Sequence, residues 1–317
     1  MSQNKGFVPV MLTPFHSDGS IDFSGLTTLT EFYIKAGAQG LFATCQSSEM
    51  FDLSKAERLQ IISHVLKIAE GKMPVVAAGN FGNTIAEQAQ FVKDVYQLGV
   101  QAVILLTNQL VAENKDEYVF EKNIFELLSL TEDIPIGFYE CPVPYKRLIS
   151  PELLGKVVAT GRAIYHKDTC LDIRQIQEKL SQTSQNKSFG LYDAYMVHAV
   201  NSLKLGAAGL SCIQGNYFPE LVVWLCDHYD NESLSDSVNA VQQFFIDEMD
   251  VMHDYYPKSA KYFLTLRGLD ISLYTRKTDN DILDEKVKDL MRNLYERYQS
   301  LITTNELELK GISLLSQ

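Results

Sequence analysis

Lysine and arginine are in deficit. The 317-residue chain has 28 of them against 40 aspartates and glutamates, for a formal net charge of −12. Nucleic-acid backbones and anionic membrane surfaces are bound by clustered cations, so both are poor candidates as partners. Runs of about 18 apolar residues, as a membrane span requires, are absent. The start, MSQNKGFVPVMLTPF, has no basic segment followed by a long apolar one, so residence in the cytoplasm is the expectation. The five cysteines, Cys45, Cys141, Cys170, Cys212 and Cys226, show no CxxC spacing, which speaks against a disulfide framework or a zinc site and for free thiols. No GxGxxG follows the first apolar run, which weakens a dinucleotide-binding open sheet. No low-complexity linker divides the chain.

What is present is a repeat. KAGAQGLFAT (35–44), QLGVQAVILL (97–106) and KLGAAGLSCI (204–213) each end a helical pattern, pass a glycine and enter a short apolar run. Gly37, Gly99 and Gly206 are separated by 62 and 107 residues. Taken as two and four units, these spacings give about 27 to 31 residues each, the size of one strand and one helix. Eight such strands are expected: 7–12, 40–44, 74–79, 102–106, 134–139, 163–167, 188–193 and 208–213. Short apolar strands alternating with helices predict an α/β fold, a (β/α)8 TIM barrel over residues 1–225. A doubly wound sheet is the alternative. Residues 226–317 read as a C-terminal helical region packed on the barrel.

In such barrels the working side chains stand where strands end. Those positions hold Thr13, Gln46, Ser47, Ser48, Glu49, Asn80, Gln109, Tyr139, Glu140, Lys167, Asp168, Tyr192, Asp193 and Gln214. Lys167 ends the run AIYHK. An amine among apolar neighbours loses its preference for the ammonium form, and a neutral amine can attack a ketone to give a Schiff base. A nearby tyrosine such as Tyr139 could move the protons. The competing reading makes Lys167 a structural lysine neutralised by Asp168 or Glu49. His166 alternates with Lys167 and should face away from the barrel axis.

The combination of Lys167 at a strand end, FYECPVP one unit upstream and CQSSEMFDLSKAER after the second strand resembles the dihydrodipicolinate synthase/N-acetylneuraminate lyase family. GFVPVMLTPFHSDGSID, AAGNFGNTIAEQAQFVKDVYQLGVQAVIL and YPKSAKYFLTLRGLD are similar to that family's start, its third and fourth units and its C-terminal region. Together these cover roughly residues 6 to 300. The resemblance implies a class I lyase or aldolase that joins Lys167 to the keto group of pyruvate or a 2-keto sugar acid. Tyr139 would shuttle protons. Ser47 would hold the carboxylate, with Gln46, Ser48, Gln109, Tyr192 and Gln214 as further substrate contacts. Glu49 would be an anchor. No cofactor or metal is implied, and the family habit is a homotetramer made of two dimers.

Departures from the family pattern narrow the activity. The loop that is usually Gly-Thr-Thr-Gly-Glu reads Cys45-Gln46-Ser47-Ser48-Glu49, so the carboxylate pocket is open to reshaping. Gln109 stands near the synthases' relay tyrosine, and Pro144 stands where they place an arginine for the second substrate's carboxylate. The expected function is therefore closer to N-acetylneuraminate lyase or a sugar-acid aldolase than to dihydrodipicolinate synthase proper. Two other readings compete. One is a keto-acid-binding protein with little or no turnover. The other is a metal-dependent barrel using the cysteines with Glu49, Glu140, Asp168 and Asp193.

Overall fold

Apolar runs too short for helices form eight parallel strands in a computed structural model that describes residues 5–277 and 283–311. They are β1 (Gly6–Phe7), β2 (Leu41–Phe42), β3 (Val75–Ala78), β4 (Ala102–Leu106), β5 (Ile136–Tyr139), β6 (Ala163–Asp168), β7 (Gly190–Asp193) and β8 (Gly209–Leu210). Each pairs with its neighbour in chain order, and β8 pairs with β1. The ring closes between β1 and β2 through the parallel bridge Val10–Phe42, where Phe42 N–H donates to Pro9 O (3.0 Å) and Met11 N–H to Phe42 O (3.1 Å). The first strand is shorter than the expected 7–12 because Pro9 has no N–H to continue a ladder. The architecture is a (β/α)8 barrel, as expected.

The helices on its outside are α1 (Phe23–Lys35), α2 (Lys55–Ala69), α3 (Ile85–Tyr96), α4 (Glu117–Leu130), α5 (Pro151–Ala159), α6 (Ile173–Thr183), α7 (Ala199–Leu205) and α8 (Pro219–His228). Their starts are set by local chemistry. Asp22, Ser54, Thr84, Asp116 and Ser150 each accept a hydrogen bond from the backbone two or three positions into the helix, and Ser54–Glu57 and Thr84–Glu87 are reciprocal capping boxes. The division expected at residue 225 falls inside α8, which runs on to His228.

Four more helices follow: α9 (Ser235–Asp247), α10 (Met249–His253), α11 (Lys258–Leu266) and α12 (Glu285–Thr304). They are tied to the barrel at α8. Glu220 of α8 takes a guanidinium nitrogen of Arg267 at 3.1 Å and the Tyr298 hydroxyl, and Phe218 packs its ring on Phe263 and Tyr298.

Two registers matter for the site. Between β5 and β6 the ladder shifts after Ile136, so Gly137 pairs with Tyr165 and Tyr139 with Lys167. A Cβ on Gly137 would meet Tyr165 O at 2.8 Å, so the irregularity needs glycine there. Beyond the shift, Tyr165 points into the barrel, where it packs with Phe42, Ile104 and Tyr139. Lys167, two residues on, points the same way.

Candidate active site

The residues that follow β2, β5 and β6 meet at the C-terminal end of the barrel around a cavity of about 330 Å³. Gln46, Ser47, Tyr139 and Lys167 all line it. Lys167 is 4% exposed, and its Nζ lies 4.3 Å from the centre of the Tyr139 ring. Burial lowers its pKa below that of an ordinary lysine. The ionisable groups that oppose the shift are thiols, Cys45, Cys141 and Cys212, and no carboxylate is among them.

The two carboxylates that could have neutralised Lys167 are engaged elsewhere. Asp168 points outward with His166, and Lys179 of α6 bonds Asp168 Oδ2 at 2.7 Å and Glu140 Oε1 at 2.6 Å. Burial opposes charge on Asp168, yet His166 and Lys179 hold its carboxyl far below the usual carboxylate range. Burial likewise disfavours the Lys179 ammonium, yet Glu140 and Asp168 raise it above ordinary lysine. Glu49, at φ 57°, accepts from Lys261 Nζ (3.2 Å) and from the backbone N–H groups of Arg276 (2.6 Å) and Lys277 (3.0 Å). Burial brings Lys261 down to about 8, with Glu49 offsetting part of the loss. Among the described residues, Lys179 and Lys261 have carboxylate partners and Lys167 has none.

The same bonds separate the acids that a metal-dependent enzyme would need together. Glu140, His166 and Asp168 do place ligand atoms within 4.8 Å of one another. The Lys179 ammonium is bonded to both carboxylates of that group, so a side chain already supplies its cation. Glu49 belongs to Lys261, and Asp193 lies 3.0 Å from His198.

Around Lys167 the polar groups are few and fixed. Burial pushes the Tyr139 phenol well above its ordinary range, and its OH donates to Gln46 Oε1 at 3.3 Å. The Tyr256 hydroxyl lies near Ser47 in the cavity wall and accepts from Asn216 Nδ2 at 2.6 Å. Tyr256 comes from the segment between α10 and α11, at the start of YPKSAKYFLTLRGLD, and is not among the strand-end residues expected at the site. The same holds for Ile213, His253 and Lys277, which line the wall together with Lys146, Thr169 and Leu171. Cys45, Cys141 and Cys212 had a signal, their places near strand ends. Its meaning was a soft, apolar surround for an amine.

Four of the expected substrate contacts lie off the cavity. Ser48 is a brace: its hydroxyl donates to Met11 O (2.6 Å) and accepts from Cys45 N–H (3.1 Å). That brace holds the loop in a tight turn whose positive φ falls on Glu49, so neither Cys45 nor Ser48 needs to be glycine. The Gln109 carbonyl accepts from Gln88 Nε2 at 2.7 Å, outside this chain's cavity. Tyr192 pairs with Lys167 in register, but its ring turns toward the opposite end of the barrel and stacks on Tyr165 at 4.6 Å. There it lines a separate cavity. Gln214 is buried behind Ile213 with its Nε2 on Met249 Sδ at 3.1 Å. The sequence placed all four near strand ends, but the turns after β2, β4 and β8 carry Ser48, Gln109 and Gln214 off the cavity, and stacking on Tyr165 draws Tyr192 away.

With this geometry in place, comparison with known proteins decides the family. Residues 3–297 match the model of the dihydrodipicolinate synthetase family. The chain belongs to that family. Its members are lyases and aldolases, and this chain is an enzyme of that kind. A curated 4-hydroxy-tetrahydrodipicolinate synthase from Shewanella sp. (strain ANA-3) is 28% identical over 222 residues, 70% of this chain and 74% of the relative. YagE, a prophage protein of the dihydrodipicolinic acid synthase family from E. coli K12, solved with pyruvate, superposes with a TM-score of 0.81 at 21% identity, covering 94% of this chain and 98% of its own. CdNal from Clostridium difficile, solved with mannosamine, gives 0.81 at 19% identity, covering 93% and 99%. At these identities the two structures speak for the fold.

Proposed function

We propose that this family member is a Schiff-base carbon–carbon lyase or aldolase acting on pyruvate or a 2-keto sugar acid, with Lys167 as the nucleophile. The observation that carries the reading is the unpaired state of Lys167 beside two paired lysines. A buried lysine with no counter-ion favours the neutral amine, and the neutral amine is the nucleophile. It adds to the keto carbon, and the departing oxygen leaves as water once protonated. Tyr139, kept protonated by burial, is placed to give that proton. The iminium then accepts the electron pair released when the bond one carbon further out breaks. In the reverse direction the enamine attacks an aldehyde. Ser47, beside Tyr256 in the wall, is the hydroxyl for the keto acid's carboxylate, and Gln46 orients Tyr139.

A sugar-acid aldolase or N-acetylneuraminate lyase-like activity fits better than dihydrodipicolinate synthase proper. Pro144 offers no donor, and Arg147 turns away to Glu117 (2.9 Å) and Lys115 O (3.0 Å). Gln46 Oε1 accepts the Tyr139 proton where a hydroxyl could have passed one on, and this favours a second reading, a keto-acid-binding protein with slow turnover. The assembly we infer is the homotetramer habitual in the family, and the compartment the cytoplasm. Among the described residues no helix is long and apolar enough to cross a membrane.

The test is intact mass after incubation with pyruvate and borohydride, with Lys167→Ala as control. A reduced pyruvyl adduct in the parent protein alone supports the mechanism. An unchanged mass with pyruvate and with larger 2-keto acids removes it. Light scattering in solution checks the tetramer.

A further inference from the structure

We propose that Lys146 and Lys277 form an anion subsite at the mouth of the Lys167 cavity, so that the preferred reactant carries a second negative group at the end remote from its keto carbon. This deepens the Schiff-base reading and rests on it. Although the chain has a net charge of −12, no aspartate or glutamate among the described residues lines this cavity, while Lys146, Lys167 and Lys277 all do. Cations gathered around a recess focus their field in it, so it selects anions against the charge of the whole molecule. The cavity, about 330 Å³, is more than pyruvate can fill. Lys146 and Lys277 line it from different segments, one after β5 and one after α11.

Each is held at one point. Lys146 Nζ donates to Thr169 O at 2.9 Å, two residues past Lys167, and so leans over the loop that follows the nucleophile. An ammonium has three donors, and the others remain for a ligand. The Lys277 backbone is fixed by its N–H bond to Glu49, which sets the start of its side chain beside the Gln46–Ser47 turn. Among the described residues neither lysine has a carboxylate partner. Ammonium groups are point charges, unlike an arginine fork, so the subsite accepts an anion without requiring a flat carboxylate in one orientation. The reactant class is a 2-keto acid with a distal carboxylate or comparably charged group.

The experiment is borohydride trapping on the full chain with 2-oxoadipate and with 2-oxohexanoate, a chain of equal length that lacks the distal charge. The readout is the ratio of their half-saturating concentrations, so a general loss of affinity cancels. The expected preference for the dianion is about tenfold at low salt, smaller in Lys146→Met and in Lys277→Met, and absent in the double variant. Lys122→Met, on the outside of α4, is the control that should retain it. Equal half-saturation in the parent protein, or a preference that survives in the double variant, overturns the subsite. Failure to trap pyruvate and both longer acids instead overturns the Schiff-base reading beneath it.

Discussion

The ammonium of Lys179 lies 2.7 Å from Asp168 Oδ2, and through that bond Lys167 loses the carboxylate next to it in sequence. The two side chains leave β6 on opposite faces, one toward α6 and one into the barrel. A structural ion triad thus stands directly behind the proposed nucleophile, and it keeps that nucleophile without a counter-ion.

Lys179→Met should therefore destabilise the protein by about 3–5 kcal/mol near neutral pH, because Glu140 and Asp168 would stay buried without a cation. The pH dependence follows from both partners. The lowered pKa of Asp168 gives stability that is present above the ordinary carboxylate range and is lost as pH falls through its folded value. The raised pKa of Lys179 gives stability that is complete below the ordinary lysine value and is lost as pH rises beyond it. Urea unfolding of the parent and the variant should show the largest gap between about pH 5 and pH 10. A constant gap down to pH 2 would contradict the pairing.

Lys167→Met should abolish the trapped adduct and raise thermal stability at the same time. The fold disfavours the charged amine, so protonated Lys167 costs stability below its folded pKa, and the cost disappears above the ordinary lysine value. An increase in Tm of about 2 °C or more is expected at pH 7, shrinking toward pH 10. Calorimetry at both pH values reads it, and a lower Tm at pH 7 would mean that Lys167 is a structural lysine.

Tyr139→Phe separates proton transfer from binding. The pyruvyl adduct should still form. Exchange of the pyruvate methyl protons into deuterated water, followed by NMR, should slow by about 100-fold or more. Exchange at the parental rate would leave Tyr139 with packing alone.

Gln46→Thr replaces an amide that only receives the Tyr139 proton with a hydroxyl that can receive one and pass it on. The same deuterium exchange should become faster, by up to about tenfold. A slower rate would show that Gln46 positions Tyr139 better than a hydroxyl can.

Glu49→Gln should loosen the turn that carries Gln46 and Ser47, since the carboxylate joins it to Lys261, Arg276 and Lys277. The buried Lys261 would lose its counter-ion, at a cost of about 3 kcal/mol or more. Half-saturation for pyruvate trapping should rise severalfold, with less effect on the rate at saturation. A drop in that rate alone would place Glu49 in the chemistry.

Much of this molecule could be read along the chain. Alternating apolar runs and capped helices point to a parallel strand-and-helix fold, and eight units of about 30 residues favour a barrel over a doubly wound sheet. Strand ends then mark out Lys167, Tyr139, Gln46 and Ser47, and a period of two along β6 sends His166 away from Lys167. Tertiary structure decided the rest. Whether Lys167 is paired depends on where Lys179 and Lys261 reach from α6 and α11, and no local pattern encodes the meeting of side chains 212 residues apart, as in Lys261 with Glu49. The tight turns after β4 and β8 removed Gln109 and Gln214 from the mouth, and stacking on Tyr165 removed Tyr192. Tyr256 and Lys277 joined the wall from the C-terminal region for the same reason: the identity of a cavity's lining is set by packing between distant segments, which spacing along the chain does not record.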